Sequence, residues 1–102
     1  MLENWTHAAL AENLNTTFRL RHEQWGIVEL ELISVSELKK TSRQEMYSIL
    51  FCGPLDQPFE QGMFKTEHAR LGTVDLFLVP VGREKDGMRY EAVFNRLVKQ
   101  NG

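Results

Sequence analysis

From Thr17 to Val35 the chain alternates apolar and charged residues on both sides of a short break that ends in glycine: TFRLRHE, then QWG, then IVELELISV. Successive side chains of a strand point to opposite faces, so this pattern describes a ribbon with one apolar and one charged side. Two such ribbons joined by three residues form a hairpin whose last loop residue takes the left-handed conformation, which glycine adopts without steric penalty. With Gln24-Trp25-Gly26 as the loop, Leu20 faces Leu30, Phe18 faces Leu32, Arg19 faces Glu31 and Arg21 faces Glu29. Apolar residues then meet on one face and opposite charges on the other, each pair contributing about 0.2–1 kcal/mol. Few folds other than a twisted antiparallel sheet accommodate such a segment.

A second hairpin of the same kind runs through GMFKTEHA, RLG and TVDLFLVPV. With Arg70-Leu71-Gly72 as its loop, Phe64 faces Leu78, Thr66 faces Leu76 and His68 faces Val74. GREKDG then permits a return along MRYEAVFN, placing Pro80 opposite Met88, Leu78 opposite Tyr90, Leu76 opposite Ala92 and Val74 opposite Phe94. Phe64, Leu76, Leu78, Tyr90 and Phe94 thus share one face and form the expected core. The last run also fits a helical stripe through Tyr90, Val93, Phe94, Leu97 and Val98, so residues 88–98 read as strand or as helix.

The remaining segments complete the outline. Thr6 is suited to cap a short helix at about 6–13, with Leu10 and Leu14 on one side and Asn13 and Asn15 ending it. Apolar parity shifts to Ile33 and Val35 after Leu32, which predicts a β-bulge. SELKKTSRQE reads as a solvated loop, MYSILFC as a central strand apolar on both faces, and GPLDQPFEQG as a turn-rich connection. No internal repeat, low-complexity tract or linker is apparent. The 102 residues, 42% hydrophobic and 25% charged, suit one domain with one core. The expected fold is all-β: about six antiparallel strands (16–23, 27–36, 46–52, 62–69, 73–81, 88–96) in a small barrel or two-sheet sandwich, with a short N-terminal helix.

Chemistry is sparse. A net charge of −2, with Lys39, Lys40 and Arg43 as the densest basic stretch, argues against nucleic acid. Cys52 is the single cysteine and sits in the apolar run SILFC, so neither a disulfide nor a thiolate metal cluster is expected, and the residue reads as buried and structural. His7, His22 and His68 lie in separate segments without metal-ligand spacing; His68 reads as a rim or hydrogen-bonded residue. Glu29 and Glu31 are matched with arginines, which keeps them ionised and unsuited to general-acid work. No phosphate loop, dinucleotide fingerprint or serine elbow is present. The expectation is no catalytic site, no metal and no cofactor. There is no signal-peptide pattern and no run long enough for an apolar membrane span, so the cytoplasm is the expected compartment.

The surplus apolar residues are more suggestive. Phe77, Val79 and Val81 point away from the expected core, with Met63 and Val93 as neighbours, and Trp25 stands at a tight turn. Such a face needs cover from the helix, another sheet, a second copy or a partner, and tryptophan is enriched at contact hot spots. Trp25, Met63, Phe77, Val79 and Val81 are therefore the candidate partner-contact residues.

LENWTHAALAENLNTTFRL, ELELISVSEL, SILFCGP, QGMFKTEHARLG and VDLFLVPVG…GMRYEAVFN, spread over nearly the whole chain, resemble a family of small uncharacterised bacterial β-rich proteins. The resemblance implies no established activity, cofactor or catalytic residue; it implies a role as an accessory component of phage-tail-like or fibre-associated gene clusters. Three functional readings follow. One is a non-enzymatic interaction or assembly module that binds a protein partner or itself. A second is a small-ligand-binding barrel with Tyr90, Phe64 and His68 near a cavity mouth. A third is a hydrolase or lyase with His22 or His68 beside a carboxylate.

Overall fold

The structure, a computed structural model, describes residues 4–97. Among these residues there is one helix, α1 (His7–Glu12), and seven strands: β1 (Thr17–His22), β2 (Gly26–Val35), β3 (Lys39–Lys40), β4 (Gln44–Gly53), β5 (Gly62–His68), β6 (Gly72–Glu84) and β7 (Gly87–Leu97). Every strand pair is antiparallel. Neighbours run β2-β1-β5-β6-β7-β4, and β2 pairs back onto β4. Six strands therefore close into a barrel, which decides between barrel and sandwich. The bulge expected after Leu32 lies between Leu32 and Ser34, at this closing seam. β7 is extended through Leu97, so the strand reading holds there; Val98 lies outside the described residues.

Both expected hairpins form, with their registers displaced by two residues from expectation. Phe18 pairs with Leu30, Leu20 with Val28, Arg19 with Glu29 and Arg21 with Ile27. Phe64 pairs with Leu76 and Thr66 with Val74. In each hairpin the glycine does not close the loop: it is already the first residue of the return strand, opposite a histidine, as His22↔Gly26 and His68↔Gly72. The histidine explains the shift. His22 Nδ1 accepts from the N–H groups of Gln24 and Trp25 at 3.1 and 3.3 Å, and His68 Nδ1 from those of Arg70 and Leu71 at 3.0 and 3.3 Å. This clamp holds three residues in the turn and places Gly26 (φ 76°) and Gly72 (φ 83°) in the left-handed region that disfavours a Cβ. A shift of two preserves side-chain parity, so the buried faces are as expected while the cross-strand partners change. The β6–β7 hairpin is displaced likewise, with Pro80 opposite Tyr90 and a further irregularity between Pro80 and Gly82.

The barrel interior is filled by Phe18, Leu20, Leu30, Phe51, Leu78 and Tyr90, all at most 1% exposed. Phe64 and Phe94, expected in the core, pack against it from half-buried positions. Thr6 caps α1 as expected, its Oγ1 accepting from Ala9 N–H at 3.1 Å. Leu10 is buried, but the helix stops at Glu12, so Leu14 leaves the helical stripe and is exposed. Part of the expected KKTSRQE loop is ordered as β3, where Lys39 and Lys40 pair with Met46 and Glu45.

The structure also reveals an internal repeat where none was expected. One constant offset carries Phe18, Arg19, His22, Gly26, Val28 and Leu30 of β1–β2 onto Phe64, Lys65, His68, Gly72, Val74 and Leu76 of β5–β6. A slightly different offset carries Tyr47, Ile49 and Phe51 of β4 onto Tyr90, Ala92 and Phe94 of β7. Each half is a three-stranded meander, and the halves meet along β1–β5 and β4–β7. These seams contain the pairs Leu20↔Thr66 and Ile49↔Ala92, whose members are themselves equivalent. Such pairing describes an approximate two-fold relation within one chain.

That relation extends to the barrel ends. Trp5, from the segment preceding β1, is buried, and its indole N–H donates to Leu71 O in the turn of the other half at 2.9 Å. Phe59, from the segment preceding β5, is buried against Tyr90 with ring centroids 4.0 Å apart. There the Trp25 indole N–H donates to Pro58 O at 2.9 Å. The equivalent tyrosines bond to these segments: Tyr47 donates to Trp5 O at 2.9 Å, and the Tyr90 hydroxyl accepts from Phe59 N–H at 3.2 Å.

Candidate interaction surface

Strand alternation across β5, β6 and β7 leaves Met63, Phe77, Val81 and Val93 pointing outward, 63, 49, 52 and 62% exposed. Met63 and Phe77 are direct cross-strand partners. Val79 lies between Phe77 and Val81 in sequence, is half-buried and pairs with Glu91. Val93 pairs with Ser48, and partly exposed Met46 lies one strand step beyond on the same face of β4. Lys65 pairs with Asp75 beside the Met63–Phe77 pair, giving the face a rim of both charge signs. Trp25 is not part of this face: it is half-buried at the β1–β2 turn, stacked near His22 and bonded to Pro58.

The repeat supplies a comparison within the molecule. The residues equivalent to Met63 and Phe77 are Thr17 and Glu31, both exposed. The same position in the same meander is therefore polar in one half and apolar in the other. Neither the barrel core nor strand pairing demands methionine and phenylalanine there.

The reactive side chains are engaged in structural contacts. His68 is buried, with Nδ1 held by the turn; its Nε2 lies 2.9 Å from Thr16 Oγ1, which donates its own proton to Asn13 O at 2.6 Å. Thr16 must then accept, which fixes His68 as the neutral Nε2–H tautomer. Burial, assisted by the nearby Arg70 charge, holds its pKa below the ordinary imidazole value. Cys52 departs from expectation: it is half-exposed on the outer side of β4, and Arg89 Nη1 donates to its sulfur at 3.1 Å. Arg89 Nη2 meets Asp86 at 2.9 Å. Glu31 has lost its expected arginine, because Arg19 reaches Glu29 at 3.7 Å. Glu45 is held below the ordinary carboxylate range, first by the hydrogen bond from Arg96. Among the described residues no group of three His, Cys, Asp or Glu side chains is placed to hold a metal.

Grooves lie on the outside of the filled barrel. One of about 400 Å³ runs beside Ser36, Met46, Tyr47 and Val93. Another, of about 390 Å³, lies between the β1–β2 turn and the 54–61 crossover, lined by His22, Gln24, Phe59, Glu60 and Phe64 among others. The clamped turns and the internal repeat were missed from sequence, although a histidine stands four residues before glycine in both HEQWG and HARLG.

A model for a domain of unknown function, DUF6916, matches residues 5–94. The chain belongs to the DUF6916 family. The match spans both meanders and both end-covering segments, so the DUF6916 domain is the whole barrel, and no activity comes with the family. No curated protein and no solved structure matches the chain. No helix among the described residues is long and apolar enough to cross a membrane.

Proposed function

We propose that this DUF6916 domain is a non-enzymatic interaction or assembly module that docks through the outward face of β5–β7. The observation that carries the reading is the exposed Met63–Phe77 pair, set where the other half has Thr17 and Glu31. Exposed apolar groups that the fold does not need are retained at the expense of solubility unless something covers them. A second copy is the first partner to test. An antiparallel sheet face with a mixed-charge rim is suited to a two-fold, self-complementary contact, in which Lys65 of one copy meets Asp75 of the other. The resemblance to small bacterial β-rich proteins supports reading such a module as an accessory component of a phage-tail-like or fibre-type assembly.

The repeat dictates the test variant. Met63→Thr with Phe77→Glu copies the polar half onto the apolar half and should leave the barrel folded. The wild type is expected to show concentration-dependent dimers by light scattering, and the double variant to remain monomeric with an unchanged far-UV spectrum. Identical masses for the two proteins at every concentration would overturn self-association through this face.

A further inference from the structure

The two halves are equivalent at the histidine clamps but differ at the outer edge of the ring. In one half the clamp is complete: His68 Nε2–H is taken by Thr16 Oγ1, in the residue just before β1. The offset that carries His68 back onto His22 relates Thr16 to Gly62, which has no side chain. The pairing confirms the equivalence. Thr16 bonds to Leu32 through its carbonyl, and Gly62 pairs with Leu78, the counterpart of Leu32. His22 Nδ1 is engaged by its turn, and no described residue bonds to its Nε2. The ring is flanked by Trp25 and Phe64, both stacked at an interplanar angle of 28°, so an edge rather than a face remains for a ligand. The half-buried ring lines the 390 Å³ groove at this end, whose other walls include the Phe59 and Phe64 rings, Gln24, Glu60 and Gln61.

We propose that this groove binds a neutral sugar residue, with His22 Nε2–H as the central donor. The chemistry around the edge selects the class. Glu60 only accepts, the Gln24 and Gln61 amides both donate and accept, and the histidine edge donates, which together suit a ring of hydroxyls. The half-buried Phe64 ring offers apolar surface to the C–H side of such a ring, with buried Phe59 behind it. An anionic ligand would meet the Glu60 carboxylate, and the groove volume is within the range of small-ligand sites. Met63 and Phe64 are neighbours on β5 whose side chains point to opposite faces of the strand, so the groove and the Met63–Phe77 face are separate surfaces and the two proposals stand or fall separately.

The test is a heteronuclear NMR titration of the full chain with glucose and N-acetylglucosamine, with acetate and tetramethylammonium as charged controls. At least one sugar is expected to shift the His22 side-chain resonances and the Gln24, Glu60 and Gln61 amides while leaving the His68 turn unmoved. Gly62→Ser restores a hydroxyl at the position of Thr16 and should weaken that response by about tenfold or more, as loss of a hydrogen bond to ligand requires. A Cβ at Gly62 would lie 3.3 Å from the tip of the Phe64 ring, so Glu60→Ala, at an exposed site, provides a second variant with the same expected weakening. No shift with either sugar, a response to tetramethylammonium or acetate instead, or undiminished binding by a folded variant would each overturn the assignment.

Discussion

Each clamping histidine offers one ring nitrogen to two backbone N–H groups, and that nitrogen must be unprotonated to accept. For buried His68 the consequence is a defined pH dependence. Its native pKa lies below the unfolded value of about 6.5 because burial, and secondarily Arg70, disfavour the charged ring. Arg19, Glu29 and Glu67 share the groove beside it. Below pH ~6.5 the unfolded chain takes up a proton that the native ring refuses. The stabilisation is therefore complete above that pH and falls as pH is lowered towards the native pKa, by at most about 1.4 kcal/mol per pH unit. Urea denaturation between pH 7.5 and 5 should show this slope. His68→Asn, whose side-chain carbonyl can still accept from the turn, should flatten it. Glu45 contributes in a separate, lower window: its lowered carboxyl supports the native state above the ordinary carboxylate pKa of about 4.5 and loses that support in stronger acid. At this scale the sequence displayed the residue types without their roles. Loop length and glycine suggested a turn, but the nitrogen that sets its register is a side-chain acceptor outside turn-type rules.

Alternation made most elements legible because burial imposes it: β1, β2 and β6 carry apolar residues inward at every second position for much of their length, whereas β5 turns Phe64, Thr66 and His68 inward. Register was less legible, since a two-residue slide leaves that alternation unchanged. β3 was missed because Lys39 and Lys40 carry no apolar signal; β3 is held on one side by pairing to β4, with Lys40 3.5 Å from Glu45. Leu14 was misassigned because a helical stripe does not show where the helix stops. The joint between β4 and β7 gives a prediction at this scale. A Cβ on Gly87 would collide with Cys52 Sγ and lie 2.6 Å from Gly53 O, so a methyl group there requires the strand backbones to part. Gly87→Ala should destabilise by about 1–3 kcal/mol, seen as a lower urea midpoint with unchanged slope.

For the whole molecule, closure and repetition were hidden for different reasons. Closure depends on β2 meeting β4, a contact for which neither strand advertises its partner. The repeat was masked because its halves share pattern more than identity: Leu20 stands against Thr66, Arg21 against Glu67 and Ile27 against Thr73. The outward apolar face was readable from β6, whereas the open edge of His22 follows from the relation between the halves, which sets Gly62 where the other half has Thr16. A chain built from two matched halves that pair with each other has one more consequence. The 54–61 crossover alone decides whether a half closes on its own sibling or on that of a neighbour, because the seams at Leu20↔Thr66 and Ile49↔Ala92 do not distinguish them. Deleting Leu55–Gln57 should leave the crossover too tight for self-closure, and chains are then expected to exchange halves. Sedimentation would report a species of twice the monomer mass, each barrel composed of two molecules.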